Sequence, residues 1–335
     1  MSQRFAVFLW CCGMVSSALA ASPVFPPFVG GVPGLSNMRA IEMQRHQART
    51  LLYREALEEL RRNPAAADAP ECPDENKDRR DACLQKPRPV VEVEGAPKIH
   101  RRIALLVGNT SYKAPIPELQ TPVADVTRIA EILKSRYGFE TRILRDGTKK
   151  QVLDEFNRIA AEATADDSVV LFYAGHGYLL DDIKMGFWIP VDGSEKTAAN
   201  WISNKDIAKL LHAIPARQVI LVSDSCYSGT LTREQKVAFA GAIQRDEILR
   251  KRSVLALSSG GDEPVADGGR DGHSIFAWHF INVLREAKDL LPGLEAHKTV
   301  QRGVSRDYPQ TPQYGAVSSA GHVEGGEYLF EPQRR

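Results

Sequence analysis

The chain has 335 residues, 43% hydrophobic and 25% charged, an ordinary globular composition with enough material for one large or two small domains. Its 43 basic and 42 acidic residues leave a formal net charge of +1. Such a balance creates no global field for a polyanion, so nucleic acid and anionic membrane surfaces are not expected partners.

Residues 1–20 read as a secretory signal peptide. Met1 to Arg4 supply a basic start, "FAVFLWCCGMVSSALA" an apolar core, and Ala18-Leu19-Ala20 a small-x-small cleavage pattern. An uncleaved anchor and a lipidated Cys11 are the alternatives. The apolar run is short for a spanning helix, and Trp10 is a poor neighbour for a lipidation cysteine. The protein is therefore expected to be exported, periplasmic or secreted, and free of the membrane once the leader is cut.

Residues 21–98 form an N-terminal extension. Within it, "NMRAIEMQRHQARTLLYREALEELRR" predicts one amphipathic helix over 37–62, with Ile41, Leu51, Leu52, Ala56 and Leu60 on its apolar face. A Pro-rich, charged linker follows, containing Cys72 and Cys83. In an oxidising compartment these two are expected to pair as a disulfide. Zinc is not expected there, because the segment has no CxxC and no nearby His pair. With Cys11 and Cys12 lost in the leader, Cys226 is the odd thiol of an exported protein.

From about residue 99 to 332 strands and helices alternate. "RIALLVGN", "FETRILRD", "SVVLFYAG", "RQVILVSDSC" and "RSVLALSSG" read as strands, with "FWIPVDG" a shorter one. "VADVTRIAEILKSRYG", "KKQVLDEFNRIAAEA", "NKDIAKLLHAI" and "HSIFAWHFINVLREA" read as helices, the first ended by Gly138. This texture predicts one α/β domain, a mainly parallel sheet with helices on both faces.

Sites in open α/β sheets lie at the carboxyl ends of strands. Two strands here end in reactive residues: "VVLFYAGHG" reaches His176 and "VILVSDSCYSG" reaches Cys226. Cysteine and histidine at neighbouring strand ends are the minimal parts of nucleophilic acyl transfer. The backbone N–H groups of Gly177 and Cys226 could then hold a developing oxyanion. His212, His273, His279 and His322 are expected to be structural.

"YAGHG" and "DSCYSG", with "IALLVGNTSY", "IPVDG" and "HSIFA" in the same order, resemble the caspase-like cysteine peptidases, especially metacaspases and their bacterial relatives. The roughly fifty-residue spacing from His to Cys is a known caspase feature. The resemblance covers 99–332 and implies a dyad, with Cys226 as nucleophile, His176 as general acid/base and no third catalytic carboxylate. It also implies that Asp125 and Asp224 line the pocket for the residue before the scissile bond; in "SSGGDEP", Asp262 or Glu263 is a candidate third acid. Two carboxylates there favour Arg, then Lys, in a peptide or protein substrate. Many metacaspases bind calcium through acids after the strand matching "IPVDG". Here Asn204 and Lys205 stand in that stretch and leave Asp192 and Asp206, too few oxygen ligands for calcium. No cofactor or metal is expected, and no feature specifies an oligomeric state. The competing readings are a catalytically idle caspase-fold interaction module and a non-proteolytic thiol amidase or acyltransferase.

Overall fold

The computed structural model describes residues 35–63, 97–180, 185–225, 231–232, 237, 244–260 and 269–333. The expected leader, Cys72, Cys83, Cys226, Asp262 and Glu263 lie outside those residues. In chain order the elements begin with α1 (Leu35–Leu52), α2 (Arg54–Arg62), β1 (Arg102–Gly108), α3 (Pro122–Tyr137), β2 (Glu140–Arg145) and α4 (Lys149–Glu162). Then come β3 (Ser168–Ala174), β4 (His176–Leu180), β5 (Met185–Ile189), β6 (Ile202–Ser203), α5 (Asn204–Ala213) and β7 (Gln218–Asp224). The C-terminal part holds α6 (Arg245–Arg250), β8 (Ser253–Ser258), β9 (Gly269–Arg270), β10 (His273–Ser274), α7 (Ile275–Glu286) and β11 (Leu291–Pro292). It ends with α8 (Gly293–Asp307), β12 (Gln313–Ala316) and β13 (Leu329–Phe330).

The central sheet runs β12-β8-β7-β3-β1-β2, parallel throughout except for the antiparallel edge strand β12. Alternation along the strands sends side chains to two cores. Leu106, Phe172 and Val222 pack with α3, α7 and α8 on one face. Leu105, Leu171 and Leu221 pack with α4 and α5 on the other. The expected α/β architecture is thus the observed one. Local chemistry sets the helix ends. Gly138 closes α3 at φ 70, and its N–H reaches the Leu133 carbonyl. Thr148 and Gln151 form a capping box that starts α4.

The structure departs from the expected elements in several places. The helix read over 37–62 is two helices, interrupted at Tyr53. There the ring turns into a core with Tyr178 and Trp201. Leu51, placed on the apolar face, is 73% exposed, whereas Ala56 and Leu60 are buried. Finally, α8 and β12 are additional elements that complete one face and one edge.

Glu327 is buried near the end of the chain, accepting from the Tyr314 hydroxyl and the Tyr328 N–H. Its Oε2 has no hydrogen-bond partner among the described residues. Burial pushes its carboxyl up from 4.5 to about 7. A folded-state value above the unfolded one means that its contribution is fully present at low pH and is lost as pH rises through about 7. Ionised, the group costs the fold up to about 3 kcal/mol. Glu327→Gln is therefore expected to flatten the fall in stability between about pH 4.5 and pH 7. Urea melts showing the same pH dependence in variant and parent would refute this.

Candidate active site

β3 ends at Ala174, and one glycine later the chain enters β4 with His176 as its first residue. Gly175 is required by close approach, since a Cβ there would lie 2.8 Å from the hydroxyls of both Tyr112 and Tyr173. Its N–H donates to the Asp224 carbonyl at 3.3 Å, joining the ends of β3 and β7. The Gly-His-Gly stretch is thus a sharp strand exit rather than a solvated turn. His176 and Gly177 are both buried in the β4–β5 hairpin, opposite Ile189 and Trp188.

His176 is held from several sides, through its backbone and its ring. The His176 N–H donates to the Tyr112 hydroxyl at 2.9 Å, and that hydroxyl donates to the Ile189 carbonyl at 2.8 Å. The Tyr173 hydroxyl donates to the His176 carbonyl at 2.9 Å. His176 Nε2 lies 2.8 Å from the Pro117 carbonyl oxygen. A carbonyl only accepts, so Nε2 carries the hydrogen and Nδ1 of the neutral ring keeps the lone pair. Burial pushes the imidazole down to about 3, with help from the nearby Arg49 cation and against the Pro117 carbonyl. The ring is therefore neutral near pH 7.

The loop carrying Tyr112 and Pro117 is anchored in turn. Asp146 Oδ1 accepts from the N–H groups of Thr110 and Ser111 at 2.7 and 2.8 Å, and Oδ2 accepts from the Ser111 hydroxyl. Asn109 Oδ1 accepts from the Gly147 N–H. These supports escaped the sequence reading. Tyr112 lies inside "NTSY", whereas a backbone carbonyl such as that of Pro117 leaves no mark in a sequence.

β7 pairs in parallel with β3, Ala174 opposite Asp224. Cys226 follows Asp224 by two residues in sequence, as His176 follows Ala174. The approach to Cys226 is well fixed. The Trp188 indole donates to Ser223 Oγ at 3.0 Å, Ser223 Oγ lies 3.0 Å from Ser225 Oγ, and Trp188 stacks on Tyr173 at 4.2 Å.

Asp125, in the first turn of α3, and Asp224, at the end of β7, converge on one residue. The Ser274 N–H reaches Asp125 Oδ2 at 3.4 Å, and the Ser274 hydroxyl donates to Asp224 Oδ2 at 2.5 Å. The pair expected from sequence is thus brought together. Its bridge is unexpected, since Ser274 also caps α7 by accepting from the Ala277 N–H. His273, expected to be structural, sits 2.7 Å from Asp125 Oδ1 through Nδ1. Burial pushes the Asp125 carboxyl up, and His273 opposes that shift.

The two acids of the calcium stretch, Asp192 and Asp206, both have protein partners. Asp192 accepts from the Lys149 N–H at 2.8 Å, and Asp206 is bound to Ser203, whose hydroxyl caps α5, and to Lys209. Among the described residues no group of three or more His, Cys, Asp or Glu side chains could hold a metal ion, and no helix is long and apolar enough to cross a membrane.

The N-terminal helices cover the hairpin that starts with His176. Thr50 accepts from the Tyr178 hydroxyl at 3.1 Å, Glu59 accepts from the Ala198 N–H, and the Ala56 N–H donates to the Glu195 carbonyl. Tyr53, Leu57 and Leu60 share a core with Tyr178, Phe187 and Trp201.

Residues 101–322 match the caspase domain family. The chain belongs to that family. Within this caspase domain lie all of Asp125, His176, Asp224, Cys226 and His273. The chain is 30% identical to metacaspase-7 of Arabidopsis thaliana over 149 residues, 40% of this chain and 36% of that protein. It is 25% identical to metacaspase-1B of Aspergillus fumigatus over 231 residues, 60% of this chain and 55% of that one. The aligned regions thus span about half or less of these relatives. The crystal structure of caspase-1 from Spodoptera frugiperda shares the fold, with TM-score 0.54 and 13% identity over 75% of this chain and 99% of that one.

Proposed function

We propose that this caspase-domain protein is an exported cysteine endopeptidase that cuts after Arg, and less well after Lys. One observation carries the reading. A neutral, tautomer-fixed His176 stands at the end of β3, hydrogen-bonded through Gly175 to the end of β7, the strand that leads to Cys226. In the reaction, the thiol proton passes to His176 Nδ1 and the thiolate attacks the scissile carbonyl carbon. The N–H groups of Gly177 and Cys226 receive the oxyanion. The C–N bond breaks as the imidazolium returns its proton to the leaving amine. Water then hydrolyses the thioester, again with His176 as base.

Asp224, with Asp125 behind His273 and Ser274, supplies the negative charge for a basic side chain. An electrophilic ketone built on a short arginyl peptide tests both parts of the reading. It should label Cys226 in the parent and fail to label His176→Ala, and its aspartyl counterpart should not react. Labelling indifferent to that residue would refute the specificity, and labelling elsewhere would refute the nucleophile.

Export and a Cys72–Cys83 bridge belong to the same reading. Mass analysis of the unreduced exported protein is expected to find residues 1–20 absent and Cys226 as the single free thiol. A retained leader, or Cys226 held in a disulfide, would contradict it.

A further inference from the structure

The structure does not present Asp125 directly to a substrate. Its side chain is 1% exposed, while that of His273 is 18% exposed. Both Asp125 oxygens are engaged, Oδ1 by the His273 imidazole and Oδ2 by the Ser274 N–H. An entering guanidinium would first meet the imidazole. We infer that His273 is a specificity-determining residue, its Nε2 receiving the basic side chain beside Asp224 while Asp125 acts behind the ring. This inference rests on the basic preference proposed above and assigns its contacts.

The chemistry follows from the hydrogen bond. A carboxylate accepts, so Nδ1 carries the hydrogen and Nε2 of the neutral ring is an acceptor. Among the described residues Nε2 makes no hydrogen bond. A carboxylate behind an imidazole fixes its tautomer and raises the basicity of the far nitrogen. A guanidinium offers five donors in a planar fork, enough to reach Nε2 and a carboxylate oxygen together; an ammonium offers a compact point charge. Arg over Lys is then a matter of geometry as well as charge.

The ring is also held in place. Asp271 and Gly272, at φ 55 and 78, make the tight turn between β9 and β10, so His273 pairs across from Arg270. The Arg270 guanidinium lies over the Trp278 ring at 4.6 Å, and the Trp278 indole donates to Asp271 at 3.1 Å. Ser274, the next residue, holds Asp224. Imidazole and carboxylate are therefore set by one dipeptide.

A double-mutant cycle on the full exported chain tests the inference, reading KM and kcat with an arginyl peptide. His273→Leu is expected to raise KM by about tenfold or more with little change in kcat. Asp125→Asn still accepts the Nδ1 hydrogen and should raise KM only about threefold. The double variant should match His273→Leu alone, because Asp125 acts through the ring. His273→Gln, which keeps an acceptor, should recover part of the loss. The rate of Cys226 alkylation by iodoacetamide reports an intact site and should not move. Full additivity in the double variant, an unchanged KM in His273→Leu, or a His273→Gln enzyme no better than His273→Leu would overturn the inference. A parent enzyme with no preference for Arg would instead overturn the reading on which it rests.

Discussion

Replacing His176 with alanine is expected to lower kcat/KM for an arginyl peptide by about 10⁴-fold, because the step loses both proton acceptor and donor. The Pro117 carbonyl fixes which nitrogen of His176 holds the lone pair, and alanine supplies neither. Cys226→Ala should be as severe, and the double variant scarcely worse than either, since the two act as a unit. His176 is buried, so circular dichroism and thermal melting must show that the variant is folded. A folded His176→Ala enzyme with turnover near that of the parent would remove the dyad from the mechanism.

Asp224→Asn carries the second large effect. The carboxylate is held by the Ser274 hydroxyl at the carboxyl end of β7. Losing its charge removes at least one charge-assisted hydrogen bond to an entering guanidinium, worth roughly 1.5–3 kcal/mol, or about tenfold to a hundredfold in kcat/KM. The loss should fall mainly in KM. It should be larger for Arg than for Lys, because only Arg makes the fork contact. Cys226 should alkylate at the parent rate. An Asp224→Asn enzyme that keeps its selectivity for Arg over Lys and neutral residues would displace the basic pocket without touching the dyad.

Much of this arrangement is legible in the sequence. Strands such as "SVVLFYAG" are apolar on both faces because each is covered by helices on both sides. Gly138 ends its helix where its left-handed conformation requires. Asp125 and Asp224 do converge. What escaped the sequence has physical reasons. The α8 segment begins at Pro292-Gly293 and carries a thin buried stripe of Ala296, Val300 and Val304, so its period was faint. The helix break at Tyr53 is imposed by a core 125 residues away in sequence, where Tyr53 meets Tyr178. The His273–Asp125 pair spans 148 residues. Contacts made by topology leave no local pattern, and the bond from His176 to Pro117 involves an atom that every residue possesses.

The most direct measurement is cleavage of a peptide library by the purified protein and by its Cys226→Ala variant, with products sequenced at both new ends. The expected result is a set of cuts made only by the parent, with Arg dominant before the scissile bond, Lys second and Asp absent. Cuts that persist in Cys226→Ala, or a parent enzyme that cleaves after Asp, would contradict a basic-specific thiol peptidase.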